Sequence, residues 1–191
     1  MKKILIFLIL FLSSMSNINA DVKRIISENE NAKITRIAYE SHTCSHCANF
    51  HNEIYPKLKD DYIDTGLVKI EFRHFPLDIA ALNAAKISQC RQDKSLEILE
   101  RLYSNQQGWV KGSSFEEVNE NLKKFLKDEA FNIDFEKCIN DKEIEDFILN
   151  DRIEGTKKFK VNATPTIIIN NEKFEKSLNY KNLKKTIEKL I

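Results

Sequence analysis

A Cys-x-x-Cys pair, Cys44-Ser45-His46-Cys47, stands where a strand pattern gives way to a helix pattern, and few features constrain a chain more. Lys33 to Tyr39 reads as a strand, because Ile34, Ile37 and Tyr39 favour β structure and no breaker interrupts them. Ser41 to Thr43 ends it. From Cys44 onward Cys47, Phe50, Ile54 and Leu58 recur at helical steps, with Pro56 predicted to kink or split the helix. A helix mouth carries unpaired N–H groups and partial positive charge, so a thiolate is stabilised there. Cys44 is therefore predicted to have a lowered pKa, and Cys47, one turn inside, to be the buried resolving partner. His46 would favour the thiolate further if protonated. A low-pKa sulfur is a good leaving group, which makes the reduced pair stable and the disulfide oxidising.

The same pair has two other readings. It could be a structural disulfide, or half of a metal site in which His42, Cys44, Cys47 and His51 supply four ligands. A second motif, Val161-Asn162-Ala163-Thr164-Pro165-Thr166, bears on the choice. Proline opening a strong strand marks an edge or a special bond, and X-Pro is where a cis peptide is accessible. A cis Thr164–Pro165 bond would present the Thr164 backbone to an extended substrate beside Cys44, whereas a trans proline would merely start the strand. Metal binding does not account for this motif.

Residues 22–31 are polar and read as a lead-in. Gly66 marks a turn, and Leu67 to His74 alternates as a second strand through Val68, Ile70 and Phe72. Two strands joined by a helix make a βαβ unit with a parallel pair. After Pro76 the chain is helical, with apolar faces at Leu82, Ala85 and Ile87–Cys90, then Leu96, Leu99, Leu102 and Tyr103. Phe115, Val118, Leu122, Phe125 and Leu126 form the next such face, with Ser114 as N-cap, and Phe131 to Ile139 a short fourth. A longer helix is predicted over 142–159. Thr166 to Ile169 returns to strand, Asn170-Asn171 reads as a hairpin turn, and 173–175 as a weak partner. Residues 180–191 close the chain as a helix. The order β-α-β, helical block, β-β-α is that of an α/β thioredoxin-like fold with an inserted helical domain. Its predicted boundaries are 21–77 and 142–191 for the thioredoxin-like part and 78–141 for the insertion.

The first twenty residues stand apart. Lys2 and Lys3 precede the apolar run Ile4–Leu12, and a polar stretch ends at Ala20, the pattern of an export signal peptide over 1–20. Its apolar core is too short to be a permanent membrane span. Losing it removes two lysines and no acids, taking the formal charge from +1 to −1. The remaining charges are interleaved, which gives no electrostatic case for nucleic acid. Four cysteines allow three pairings. The closeness of Cys44 and Cys47 leaves Cys90 and Cys138 as the natural second pair, either a structural disulfide in an exported chain or two buried thiols.

These residues together resemble the DsbA-like thiol–disulfide oxidoreductases of the bacterial cell envelope. The resemblance rests on the strand ending in Ser41 before Cys44-Ser45-His46-Cys47, on Phe72-Arg73-His74-Phe75-Pro76-Leu77, on the helical insertion and on Thr164-Pro165. It implies a cis Pro165, a mixed disulfide at Cys44, and a periplasmic oxidase acting on exported proteins with free or paired cysteines. It also implies reoxidation by a quinone-linked membrane partner, with no organic cofactor and no resident metal. Some such proteins carry a second bridge, as Cys90 and Cys138 would form. A periplasmic reductase or isomerase, and less readily the metal-binding module, remain the alternatives. Two departures stand out. The family usually has Pro where this chain has Ser45, a position that tunes redox potential. Many relatives carry a buried acid six residues before the first cysteine, where this chain has Ala38, with Glu40 on the same strand face.

Overall fold

The computed structural model describes residues 22–27, 32, 34–128 and 131–191. The export signal read over 1–20 lies outside the described residues. Five strands form one sheet: β1 (Ile25–Ile26), β2 (Ile34–Glu40), β3 (Val68–His74), β4 (Thr166–Ile169) and β5 (Glu172–Lys173), in the order β1-β3-β2-β4-β5. β2 and β3 are parallel, in a register that pairs Ile34 with Val68 and Glu40 with His74. β4 runs antiparallel to β2, and β1 antiparallel to β3. The polar lead-in thus contains an edge strand. Ile25 is buried against the sheet, and two apolar residues among charged ones give too short a pattern to read. Arg24 anchors this segment through ion pairs to Glu71 and to the buried Asp151.

The hairpin joining β4 and β5 turns through Asn170 and Asn171, both at positive φ (52° and 64°), as a type I′ turn requires. β5 pairs at Glu172–Lys173, earlier than the 173–175 expected.

The helix after Cys44 is split, as Pro56 predicts. It runs as α1 (Ser45–Asn49), a π-helical turn Phe50–Ile54, α2 (Tyr55–Leu58) with Pro56 in its first turn, and a second π-turn Lys59–Ile63. The missing N–H and the ring of Pro56 are incompatible with an uninterrupted ladder, and the wider turns absorb the misfit.

Between β3 and β4 lie α3 (Ile79–Cys90), α4 (Ser95–Ser104), α5 (Gln106–Trp109), α6 (Phe115–Asp128), α7 (Phe135–Ile139) and α8 (Lys142–Phe159), and α9 (Tyr180–Ile187) follows β5. Side-chain caps begin several of them: Asp78 accepts from Ala81 N at 2.7 Å, Ser114 Oγ from Glu117 N at 3.2 Å, and Asp141 from Ile144 N at 3.1 Å. The last helix stops at Ile187, short of the chain end.

Two apolar cores are the largest, with smaller clusters around Tyr39 and Phe159 and around Ile144 and Ile148. One lies between the sheet and α1, α2 and α9, built on Phe50, Leu58, Phe72, Ile167 and Leu183. The other fills the helical block around Trp109, Leu102, Leu122 and Phe135. Helix α4 is their common wall, turning Leu99 and Tyr103 to the first and Ile98 and Leu102 to the second. Gly155 of α8 rides over Tyr39, and a Cβ there would come within 2.7 Å of the ring. Cys90, at the end of α3, is bridged to Cys138 of α7.

Candidate active site: the Cys44–Cys47 pair

The parallel register of β2 and β3 brings Glu40 and His74 side by side at the C-terminal edge of the sheet, and the chain leaves β2 there into Cys44. Cys44 is the extended N-cap residue of α1 (φ −78°, ψ 118°). Its carbonyl accepts from Cys47 N at 3.1 Å and Ala48 N at 3.2 Å, and its own N–H donates to Ser41 O at 3.0 Å. Thr43 Oγ1 donates to Asp78 Oδ2 at 2.7 Å, and Leu77 N to Ser41 Oγ at 3.3 Å, so the loop is pinned to the start of α3.

Both cysteines of the pair are free thiols, with opposite surroundings. Cys44 is half-buried, and the Cys47 thiol, which hydrogen-bonds to it, draws its pKa down to about 5. Burial opposes this, while the Thr164 side chain and the backbone N–H groups of Cys47 and His46 add to it. Cys47 is fully buried. Burial pushes its thiol up, helped by its bond to Cys44 and by the negative charge of Glu40, with only the Ser41 N–H opposing.

The Thr164–Pro165 bond is cis, and Cys44 Sγ donates to Thr164 O at 3.2 Å. Buried Thr164 Oγ1 has no other hydrogen-bond partner among the described residues, so it is a donor that a Cys44 thiolate can claim. The side chain of His46 is exposed, and what this residue offers Cys44 is its backbone N–H.

Behind the pair lies a buried polar layer. Glu40 Oε2 meets His51 Nε2 at 2.8 Å with both side chains nearly inaccessible, and among the described residues Glu40 Oε1 and His51 Nδ1 have no hydrogen-bond partner. Burial raises the Glu40 carboxyl, and His51 works against that rise. The His51 ring stacks on Tyr103 at 4.2 Å, and the His42 ring on Tyr103 at 4.8 Å. His42 reaches Ser88 Oγ at 3.4 Å and His74 reaches Gln89 Nε2 at 3.1 Å. Burial lowers both imidazoles, His74 to about 3. His42 and His51 are thus committed to Tyr103 and Glu40. Among the described residues no three His, Cys, Asp or Glu groups converge on a point where a metal could sit.

Two contributors were invisible in the sequence. Tyr103 reads there as one more apolar residue of α4. Gln106 sits in α5, a four-residue helix that Gly108 disguises as a loop, yet its Nε2 donates to His42 O at 2.7 Å and to Cys44 O at 2.9 Å.

Comparison with known proteins agrees with this arrangement. A family model described as thioredoxin matches residues 21–189. The solved structure of alpha-DsbA1 from Wolbachia pipientis superposes with a TM-score of 0.77 at 30% identity, covering 88% of this chain and 90% of that one. Disulfide bond formation protein D of Bacillus subtilis is 27% identical over 170 residues, 84% of this chain and 73% of that protein. A protein of Rickettsia bellii named as a protein-disulfide oxidoreductase is 27% identical over 154 residues, 78% of this chain. This chain spans 58% of that relative's length. With a five-stranded sheet, a helical block inserted between β3 and β4, and a Cys-x-x-Cys pair at a helix mouth facing a Thr-Pro loop, the chain belongs to the thioredoxin family, among its DsbA-like members.

Proposed function

We propose that this protein is an exported thiol–disulfide oxidoreductase that donates the Cys44–Cys47 disulfide to exported proteins. The observation that carries the reading is the contrast between the two sulfurs: Cys44 is half-exposed and easily ionised, Cys47 buried and hard to ionise. A substrate thiolate attacks Cys44 Sγ of the oxidised pair. The Cys44–Cys47 bond breaks, its electron pair goes to Cys47, and a mixed disulfide forms at Cys44. A thiolate at Cys47 is costly in its buried setting and beside the negative charge of Glu40. A second substrate thiolate then attacks the substrate sulfur of the mixed disulfide and expels Cys44 as a stable thiolate. The substrate leaves with a new disulfide, and the enzyme is reduced by two electrons. Thr164, whose carbonyl lies against Cys44, is the backbone an extended substrate would meet beside Pro165.

Export rests on the charged and apolar pattern of residues 1–20. In the periplasm the reduced pair would be reoxidised by a quinone-linked membrane oxidase, with no organic cofactor in this chain. Cys90–Cys138 is read as a structural bridge. The test is stoichiometric: oxidised protein is mixed with a reduced dithiol peptide and peptide disulfide is counted. One disulfide gained per protein is expected, with Cys44→Ala and Cys47→Ala both silent, since neither can hold the disulfide that oxidises the peptide. A peptide that stays reduced, or full activity in Cys44→Ala, would overturn the reading.

A further inference from the structure

Gln106 belongs to the helical block, 62 and 64 residues along the chain from the two carbonyls it holds. It is buried, and a single side-chain nitrogen serves both bonds. A primary amide has two N–H donors, one for each carbonyl. His42 O and Cys44 O flank Thr43, so the two bonds fix the peptide planes that follow His42 and follow Cys44. The second plane is set by ψ of Cys44, 118° here, where the chain turns from extended into helical. Rotation about that bond changes where Sγ lies relative to the N–H groups of His46 and Cys47. Cys44 O already accepts from Cys47 N and Ala48 N, so the helix start does not depend on the amide for a donor.

We propose that Gln106 is a positioning residue for thiol–disulfide exchange, holding the His42–Cys44 backbone so that the Cys44 sulfur stays aimed at the His46 and Cys47 N–H groups. This rests on the reading that Cys44 is the exchanging sulfur. It gives the helical block a direct hold on the chemistry. The other titratable groups facing Cys44 are Cys47 on α1, Glu40 at the end of β2 and Tyr103 on α4, and substitution at position 106 leaves all three in place.

The experiment titrates Cys44 in the reduced full chain by thiolate absorbance and by its alkylation rate with iodoacetamide at pH 4, alongside the melting temperature. Q106M keeps the length of the side chain and removes both donors. Its Cys44 midpoint is expected to rise by about half to one unit, so alkylation at pH 4 slows by roughly threefold to tenfold. Should Q106M fail to fold, Q106N serves instead, since its shorter amide cannot span both carbonyls, and the same rise is expected. A midpoint equal to wild type in the folded variant, whatever its melting temperature, would reduce Gln106 to a structural tie and overturn the proposal. A wild-type midpoint near about 8.5, that of an ordinary thiol, would instead remove the reading beneath it.

Discussion

The molecule carries two cysteine pairs that differ in almost every physical respect. Cys44 caps the N-terminus of α1, where backbone N–H groups stabilise a thiolate, and it is half-open to solvent. Cys90 is the last residue of α3, at the negative end of that helix, and its partner Cys138 is almost wholly buried in the apolar core of the helical block. No charge is invited there. The contrast teaches that the surroundings of a sulfur decide whether it ionises: at Cys44 the Cys47 thiol, the Thr164 side chain and backbone N–H groups favour a thiolate, and Cys90 and Cys138 are bonded to one another in an apolar setting. The two pairs are also joined: α3 starts at Asp78, which holds Thr43 beside Cys44, and ends at Cys90.

The comparison can be broken in graded steps. Cys44→Ala should abolish exchange with a dithiol peptide while leaving the melting temperature nearly unchanged. The double substitution Cys90→Ala with Cys138→Ala should do the reverse. Opening a bridge of sequence separation 48 should lower unfolding free energy, read from denaturant midpoints, by about 4 kcal/mol in the chain-entropy model, with exchange retained. If that double variant lost exchange as completely as Cys44→Ala, the division of labour would be wrong.

Acid should act on the fold through the buried histidines His42 and His74. Folding holds His42 and His74 below their ordinary pKa, so the folded chain binds fewer protons than the unfolded one beneath about pH 6.5. Their contribution is complete above that pH and is lost as pH falls toward about 3, where His74 would titrate in the fold. Denaturant melts between pH 7 and 4 should show stability falling by at most about 1.4 kcal/mol per pH unit per histidine. His74→Gln should flatten part of that slope. Asp78→Ala has the smallest expected effect, about 1 kcal/mol from the lost α3 cap. Because Thr43 also loses its acceptor, slower exchange at Cys44 should accompany it.

Much of this was legible in the chain. Alternation in Val68–His74, the β-branched run before Asn170-Asn171 and the cap at Ser114 are local signals, and they sit where such signals place them. The direction of the Cys44 shift was legible from its position at a helix mouth, although its largest cause is the hydrogen bond from the Cys47 thiol. What escaped depends on packing between distant segments. β1 is two residues long and exists because β3 offers an edge. Glu40 and His51 meet only after the helix folds back over β2, and nothing local says that the two side chains are buried together. Gln106 looks like a loop residue until the helical block closes on the active loop. Even His46, the residue that the motif draws attention to, contributes through its backbone.

The most direct test of the central claim is the equilibrium potential of the Cys44–Cys47 couple, measured against glutathione buffers. A thiolate as stable as that of Cys44 should place it on the oxidising side, toward about −120 mV and above the cellular glutathione couple. A value near about −270 mV, that of a reductant, would contradict the account.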